Sequence, residues 1–224
     1  MLVTAASAQP SDPPRTPVVV ELFTSQGCSS CPPADAMLAE LGTRDDVIAL
    51  AFHVDYWDYI GWADRFADPR HTRRQKGYAV TGGWRVVYTP QVIIDGHMPV
   101  MGSRPDEVRN AIDAQADRTP SANLSVTRAD GMLIVTGQSL REALGKVDIH
   151  VIRYEARRDV TIERGENAGR ALTYTHIVRD WTVPARWSGE GSFEIRVPIE
   201  GDLPVVVLAQ GRDYGPIFAA ARLR

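Results

Sequence analysis

The chain has 224 residues, of which 44% are hydrophobic and 24% charged, and a formal net charge of -3. That balance is an ordinary globular one and leaves no sequence-wide case for binding nucleic acid or an anionic membrane. No apolar run approaches the roughly 18 residues that read as a spanning helix. The length suits one large or two small domains.

The first residues, Met1-Leu2-Val3-Thr4-Ala5-Ala6-Ser7-Ala8-Gln9, read as the tail of a secretory signal. Ala6-Ser7-Ala8 matches a small-x-small cleavage site, and a polar, Pro-rich linker follows at once. The expectation is a periplasmic or secreted bacterial protein, in a compartment where disulfides persist. Residues 1–16 form this remnant and linker.

Pro17 to Phe23 is a continuous apolar run, the pattern of a central strand buried on both faces. The only two cysteines of the chain follow it, in Cys28-Ser29-Ser30-Cys31. Pro32 and Pro33 suit the first turn of a helix, where missing N–H groups cost little. Met37, Leu38 and Leu41 give that helix an apolar face, and Gly42 ends it. Val47 to Val54 is a second apolar strand, so one βαβ unit is expected. Ligands on such sheets sit beyond the carboxyl ends of the strands, where both Cys28 and Asp55 would lie.

A Cys-x-x-Cys beside a βαβ pattern points to redox chemistry. The helix dipole stabilises a thiolate, the reactive species, at Cys28. Cys31, next to it, is placed to resolve a mixed disulfide. Two other readings stay open. One is a purely structural disulfide. The other is a copper or zinc site using Cys28, Cys31 and either His53 or Met98. A zinc site normally needs three or four protein ligands, and the five histidines show no ligand spacing. No metal and no cofactor is therefore assigned.

Residues 55–84 read as an insertion rich in aromatic and basic side chains. A helix over His71 to Val80 is expected, ending at Gly82-Gly83; the segment is either a lid or substrate platform beside the cysteines or a packed helical pair with a solvated basic face. Thr89-Pro90 precedes the apolar run Gln91 to Ile94. Gly96-His97 turns the chain into a return strand over Met98 to Met101. Ser103 is expected to cap a last helix, with Pro105 in its first turn and Val108 and Ile112 on its apolar face. Asp35 reads as a helix-surface charge.

The order β-α-β-α-β-β-α over residues 17–119, with Cys28-Ser29-Ser30-Cys31 at a helix start and Thr89-Pro90 before a strand, resembles a thioredoxin-like domain. The run from Glu21 to Asp35, with Phe52 to Tyr59, Tyr88 to Gln91, Arg164 to Gly169 and Tyr174 to Arg179, is similar to a secreted bacterial family catalogued as domain of unknown function 1223. The thioredoxin-like resemblance implies a cis Thr89-Pro90 bond beside the cysteines. It also implies that Glu21, seven residues before Cys28, is a buried acid able to exchange a proton with the second cysteine. The implied activity is thiol–disulfide exchange through Cys28, Cys31, Thr89, Pro90 and Glu21. Its partners would be protein thiols or disulfides and a further redox protein.

Residues 120–224 change pattern. Seven short strand candidates, separated by turn signals at Asp130-Gly131, Gly165, Gly169, Gly189 and Gly191, suggest an all-β, sandwich-like second domain. Glu163 to Asn167 reads as a hairpin loop rather than a binding loop.

Overall fold

The computed structural model describes residues 16–224; the segment read as a signal remnant and linker lies outside the described residues, apart from Thr16 at the end of that linker. The chain is a mixed α/β structure. Its first half runs β1 (Val18–Thr24), α1 (Pro32–Leu41), β2 (Val47–His53), a short 3-10 turn (Asp58–Ile60), α2 (Pro69–Gly82), β3 (Gln91–Ile94), β4 (Met98–Met101) and α3 (Pro105–Ala116). The second half is β5 (Ala122–Ala129), β6 (Met132–Ser139), β7 (Val147–Thr161), β8 (Ala171–Trp187), β9 (Ser192–Pro198), β10 (Val205–Gly211) and β11 (Ile217–Leu223).

The continuous apolar runs of β1 and β2 have a simple cause. The two strands pair in parallel, Val18 with Val47 through Thr24 with His53, and every residue of both is buried. Side chains alternate across a strand, so the odd and even positions of β1 serve two cores. Val18, Val20 and Leu22 pack against Leu38 and Leu41 of α1 and Val108 and Ile112 of α3. Val19 and Phe23 face Tyr78 of α2 on the other side.

The expectation of a self-contained C-terminal sandwich needs correction. β7, β8, β10 and β11 continue the sheet of the first half, in the order β11-β10-β7-β8-β2-β1-β3-β4. The join is narrow: β8 meets β2 through the parallel pair Ala51 and Ile177. Only β5, β6 and β9 form a separate sheet. Leu133 and Val135 of that sheet pack with Val147, Ile149, Val205 and Val207 of the large one, in sandwich fashion. The large sheet curls, as twisted strands do. The Ile217 N–H at the start of β11 donates to the Asp95 carbonyl just past β3, at 2.8 Å.

Two helix details also differ from expectation. α3 begins after Arg104, with no side-chain cap bond, so Ser103 is not its cap. α2 is capped by Asp68, whose carboxylate accepts the Arg70 N–H at 2.7 Å, and ends at Gly83 in the left-handed region (φ 70°). No helix of the described residues is long and apolar enough to cross a membrane.

Candidate functional site

β1 and β2 run parallel, so their carboxyl ends meet at one end of the sheet. The chain leaves β1 there as Ser25-Gln26-Gly27-Cys28 and enters α1 at Cys31, its N-cap residue. Cys28 and Cys31 are joined as a disulfide, with 5.4 Å between their Cα atoms. The turn is closed by the Cys31 N–H donating to the Cys28 carbonyl at 3.3 Å. Ser30 Oγ lies 3.4 Å from Cys28 Sγ. A disulfide sulfur carries no hydrogen, so the hydroxyl is the donor. With Pro32 and Pro33 occupying the first helical positions, the N–H groups of Ala34 and Asp35 both turn back to the Cys31 carbonyl. Both half-cystines are buried, Cys28 at 1% and Cys31 at 0% exposure.

Thr89-Pro90 is a cis peptide. It reaches the cysteine turn through two contacts. A Cβ placed on Gly102 would lie 2.9 Å from Pro90 Cβ and 3.3 Å from Ala34 Cβ, so only a glycine fits where the Pro90 loop meets the first turn of α1. Thr89 Oγ1 accepts the Trp57 indole N–H at 2.7 Å, and the Trp57 Cβ backs directly onto Gly27.

Glu21 lies elsewhere. Its side chain is on the α2 face of the sheet, fully buried. Arg74 Nε donates to Glu21 Oε1 at 2.8 Å, and the Tyr78 hydroxyl donates to Oε2. Arg74 also bonds Tyr78 and Gln210, and its guanidinium stacks on Phe52, Tyr78 and Trp181 at 5.0 to 5.5 Å. Arg74 is thus buried, not part of a solvated basic face. Both Glu21 carboxylate oxygens are thus bonded within a structural network, while Arg74 Nη1 has no hydrogen-bond partner among the described residues.

Asp35 stands one helical turn beyond the second cysteine, its N–H donating to the Cys31 carbonyl at 3.1 Å. It is buried, not a surface charge as its sequence context suggests. β8 packs across α1 and covers it. Burial pushes the Asp35 carboxyl from an ordinary 3.8 up to about 7, against the opposing pull of the His53 charge. Beside it, His53 Nδ1 and Asp64 Oδ2 lie 2.7 Å apart, both fully buried. Burial opposes the His53 charge, yet Asp64 outweighs it and holds the imidazole above its ordinary value. Burial likewise works against the Asp64 carboxylate, but the His53 charge and the N–H groups of Gln26 and Phe66 hold it down. Asp35 Oδ2, His53 Nε2, Gln26 Nε2 and the Tyr174 hydroxyl make no hydrogen bond among the described residues. Buried polar atoms are nearly always satisfied, so a group of unpartnered ones behind a disulfide is uncommon. Asp35 and Tyr174 also line a cavity of about 300 Å³ between α1 and β8, with Pro32, Ala36, Ala39 and Leu172.

The one cue to Asp35 in the sequence is its spacing, four residues after Cys31; nothing there marks β8 as its cover. Asn167 is equally hidden. The hairpin joining β7 to β8 reaches the cysteine turn, where Asn167 Nδ2 donates to the carbonyls of Gln26 and Cys28 at 2.9 and 3.0 Å. Among the described residues no group of three or more His, Cys, Asp or Glu is arranged to hold a metal. Met98 lies on the edge strand β4, and His53 is engaged with Asp64.

A family model described as protein of unknown function (DUF1223) matches residues 19–210. No curated protein matches the chain. Among solved structures, one from Agrobacterium tumefaciens, determined by X-ray crystallography in a structural genomics programme, is 30% identical with a TM-score of 0.78. The match covers 94% of this chain and 95% of that one. HBP35 of Porphyromonas gingivalis is 17% identical with a TM-score of 0.65, over 93% of this chain and 75% of that one, a likeness of fold alone. The chain therefore belongs to the DUF1223 family, whose function is unknown.

Proposed function

We propose that this chain is a thioredoxin-like thiol–disulfide exchange protein that works outside the cytoplasm. The observation that carries the reading is a Cys-x-x-Cys disulfide at the start of α1, backed by a buried carboxyl that titrates near neutrality. The strand order β4-β3-β1-β2, with helices on both faces and a cis Thr89-Pro90 near the cysteines, supports the thioredoxin-like assignment. The export-like start of the chain and the disulfide itself support the compartment.

The chemistry balances as two exchanges. A substrate thiolate attacks Cys28 Sγ; the Cys28–Cys31 bond breaks and Cys31 leaves as a thiolate. Asp35, protonated over half the time below pH 7, supplies a proton that neutralises the leaving sulfur. A second substrate thiolate attacks the mixed disulfide at the substrate sulfur and releases Cys28. The protein gains two electrons; the two protons given up by the substrate thiols return through solvent, one to Asp35 and one to Cys28, and the substrate becomes a disulfide. The reverse sequence reduces a substrate disulfide, with Cys28 as nucleophile, Cys31 as resolving thiol and Asp35 as base. In this reading Thr89-Pro90 offers its backbone to the segment flanking the substrate sulfur. Asp35 takes the role that the thioredoxin-like resemblance implies for Glu21.

The test is the Cys28–Cys31 reduction potential, from equilibration in a glutathione or dithiothreitol series with thiols counted by alkylation mass shift. A value between about -270 and -120 mV is expected, the range of exchange catalysts. The burial of both sulfurs favours a second reading, a structural disulfide, which predicts a value below about -300 mV and no exchange with protein thiols.

A further inference from the structure

We infer that the β7–β8 hairpin, through Asn167, decides which thiols reach Cys28. This rests on the exchange reading above. The hairpin belongs to the second half of the chain, 139 residues from Cys28 in sequence, yet it is bonded to the cysteine turn.

The hairpin tip is a defined structure. The Ile162 N–H donates to Arg170 O, the Gly169 N–H to Ile162 O and the Ala168 N–H to Gly165 O. Gly165 and Gly169 sit at φ 77° and 79°, a region that costs a glycine little and other residues much. This folding points Asn167 inward, at 1% exposure. An asparagine amide carries two N–H donors, and both are spent on the two carbonyls that flank Gly27. Its Oδ1 accepts Arg170 Nη1 at 2.8 Å, which fixes the amide orientation. No other uncharged side chain of that length supplies two donors from one atom. An aspartate would present acceptors to two acceptors.

Two further contacts extend the clamp over the disulfide. The Glu166 carboxylate accepts the N–H of Ser29, the residue after Cys28, at 3.2 Å. Gly165 packs 3.3 Å from the Trp62 Cβ, measured from the position its own Cβ would take, and the Trp62 indole N–H donates to Gln26 Oε1. Gln26 is thereby held at its carbonyl by Asn167, at its side chain by Trp62, and at its N–H by Asp64. With the turn so held, Cys28 is 1% exposed while Ser29 and Ser30 beside it are open. A sulfur placed this way is reached by a slim thiol, or by an extended peptide lying over the serines. The surface of a folded protein is stopped by the hairpin. Glu166 adds a negative charge at the entrance and disfavours acidic thiols.

The experiment compares two attacking thiols on the oxidised full chain: dithiothreitol, and a folded carrier protein with one surface dithiol. Asn167→Ala should speed reduction by the folded carrier about tenfold and by dithiothreitol less than threefold. Asn167→Ser, which keeps one donor, should fall between. Glu166→Gln, at an exposed position, should speed reduction by glutathione about twofold and leave dithiothreitol unchanged; it guards against a folding defect in the Asn167 variants. Equal acceleration by both thiols in Asn167→Ala, or no change in any variant, overturns the inference. A wild-type potential below about -300 mV defeats the exchange reading instead. The ratio of carrier to dithiothreitol rates still tests the clamp in that case.

Discussion

Two buried acids, Glu21 and Asp35, lie on opposite faces of the same sheet and have opposite fates. Glu21 receives a guanidinium and a phenol, and the guanidinium is held in turn by Gln210 and three aromatic rings. Asp35 has an unpartnered oxygen, a cavity at its back and an imidazole already committed to another carboxylate. A buried charge with a full set of partners holds a fold together; one left short of partners moves its pKa toward neutrality and is free to exchange a proton. The acid on the helix that opens at Cys31 is the unfinished one, and that makes it the better candidate for chemistry.

The comparison breaks most visibly at Arg74. Arg74→Met leaves Glu21 as a buried charge without its counter-ion, and a loss of about 3–5 kcal/mol is expected in urea or guanidinium denaturation. Adding Glu21→Leu should restore much of that loss, because removing both charges also removes the desolvation penalty. Equal stability of the single and double variants would mean that Glu21 is not the group left stranded.

Asp35→Asn should behave in the opposite way. The folded value, about 7, is above the ordinary 3.8, so ionising Asp35 costs the folded state stability. That cost is absent below about pH 3.8, grows as pH rises toward 7 and is constant above it. The variant should therefore gain on the wild type by up to about 4 kcal/mol between about pH 4 and pH 8, since each pH unit separating the folded and unfolded values is worth about 1.36 kcal/mol. Chemical denaturation across that range checks it; parallel profiles would place Asp35 outside the buried cluster. If the exchange reading holds, the same variant should slow release of Cys31 by about 100-fold at about pH 7, the low end of general acid–base effects. Stopped-flow reduction by dithiothreitol measures that step.

The smallest effect calibrates the other two. Asp68 caps α2, the helix that carries Arg74, without touching either acid. Asp68→Ala should cost about 1 kcal/mol in the same denaturation assay. A loss as large as that of Arg74→Met would mean that the Glu21 effect is one of helix stability rather than charge.

Much of the local structure is legible in the sequence because it depends on near neighbours. Apolar runs mark β1 and β2, and Gly-containing turns separate the seven C-terminal strands. The cysteine spacing announces the disulfide, and the thioredoxin-like resemblance the cis bond of Thr89-Pro90. The failures share one cause. Glu21 and Asp35 are both acids near the cysteines in sequence, and nothing local tells which face of a strand or helix a distant element will cover. Arg74 reads as a surface cation because its partners, Glu21 and Gln210, lie 53 and 136 residues away.

The order of the amino acids was enough to say which stretches form strands and helices, where the two sulfurs sit and which family the chain resembles. These follow from periodicity, turn chemistry and motif spacing, which act over a few residues. It took the packed molecule to reveal that β8 joins β2 and lies over α1, which buries Asp35, and that the hairpin before β8 grips the cysteine turn through Asn167. Burial and partner supply are properties of residues far apart in the chain, and they set the charge state and accessibility of the site.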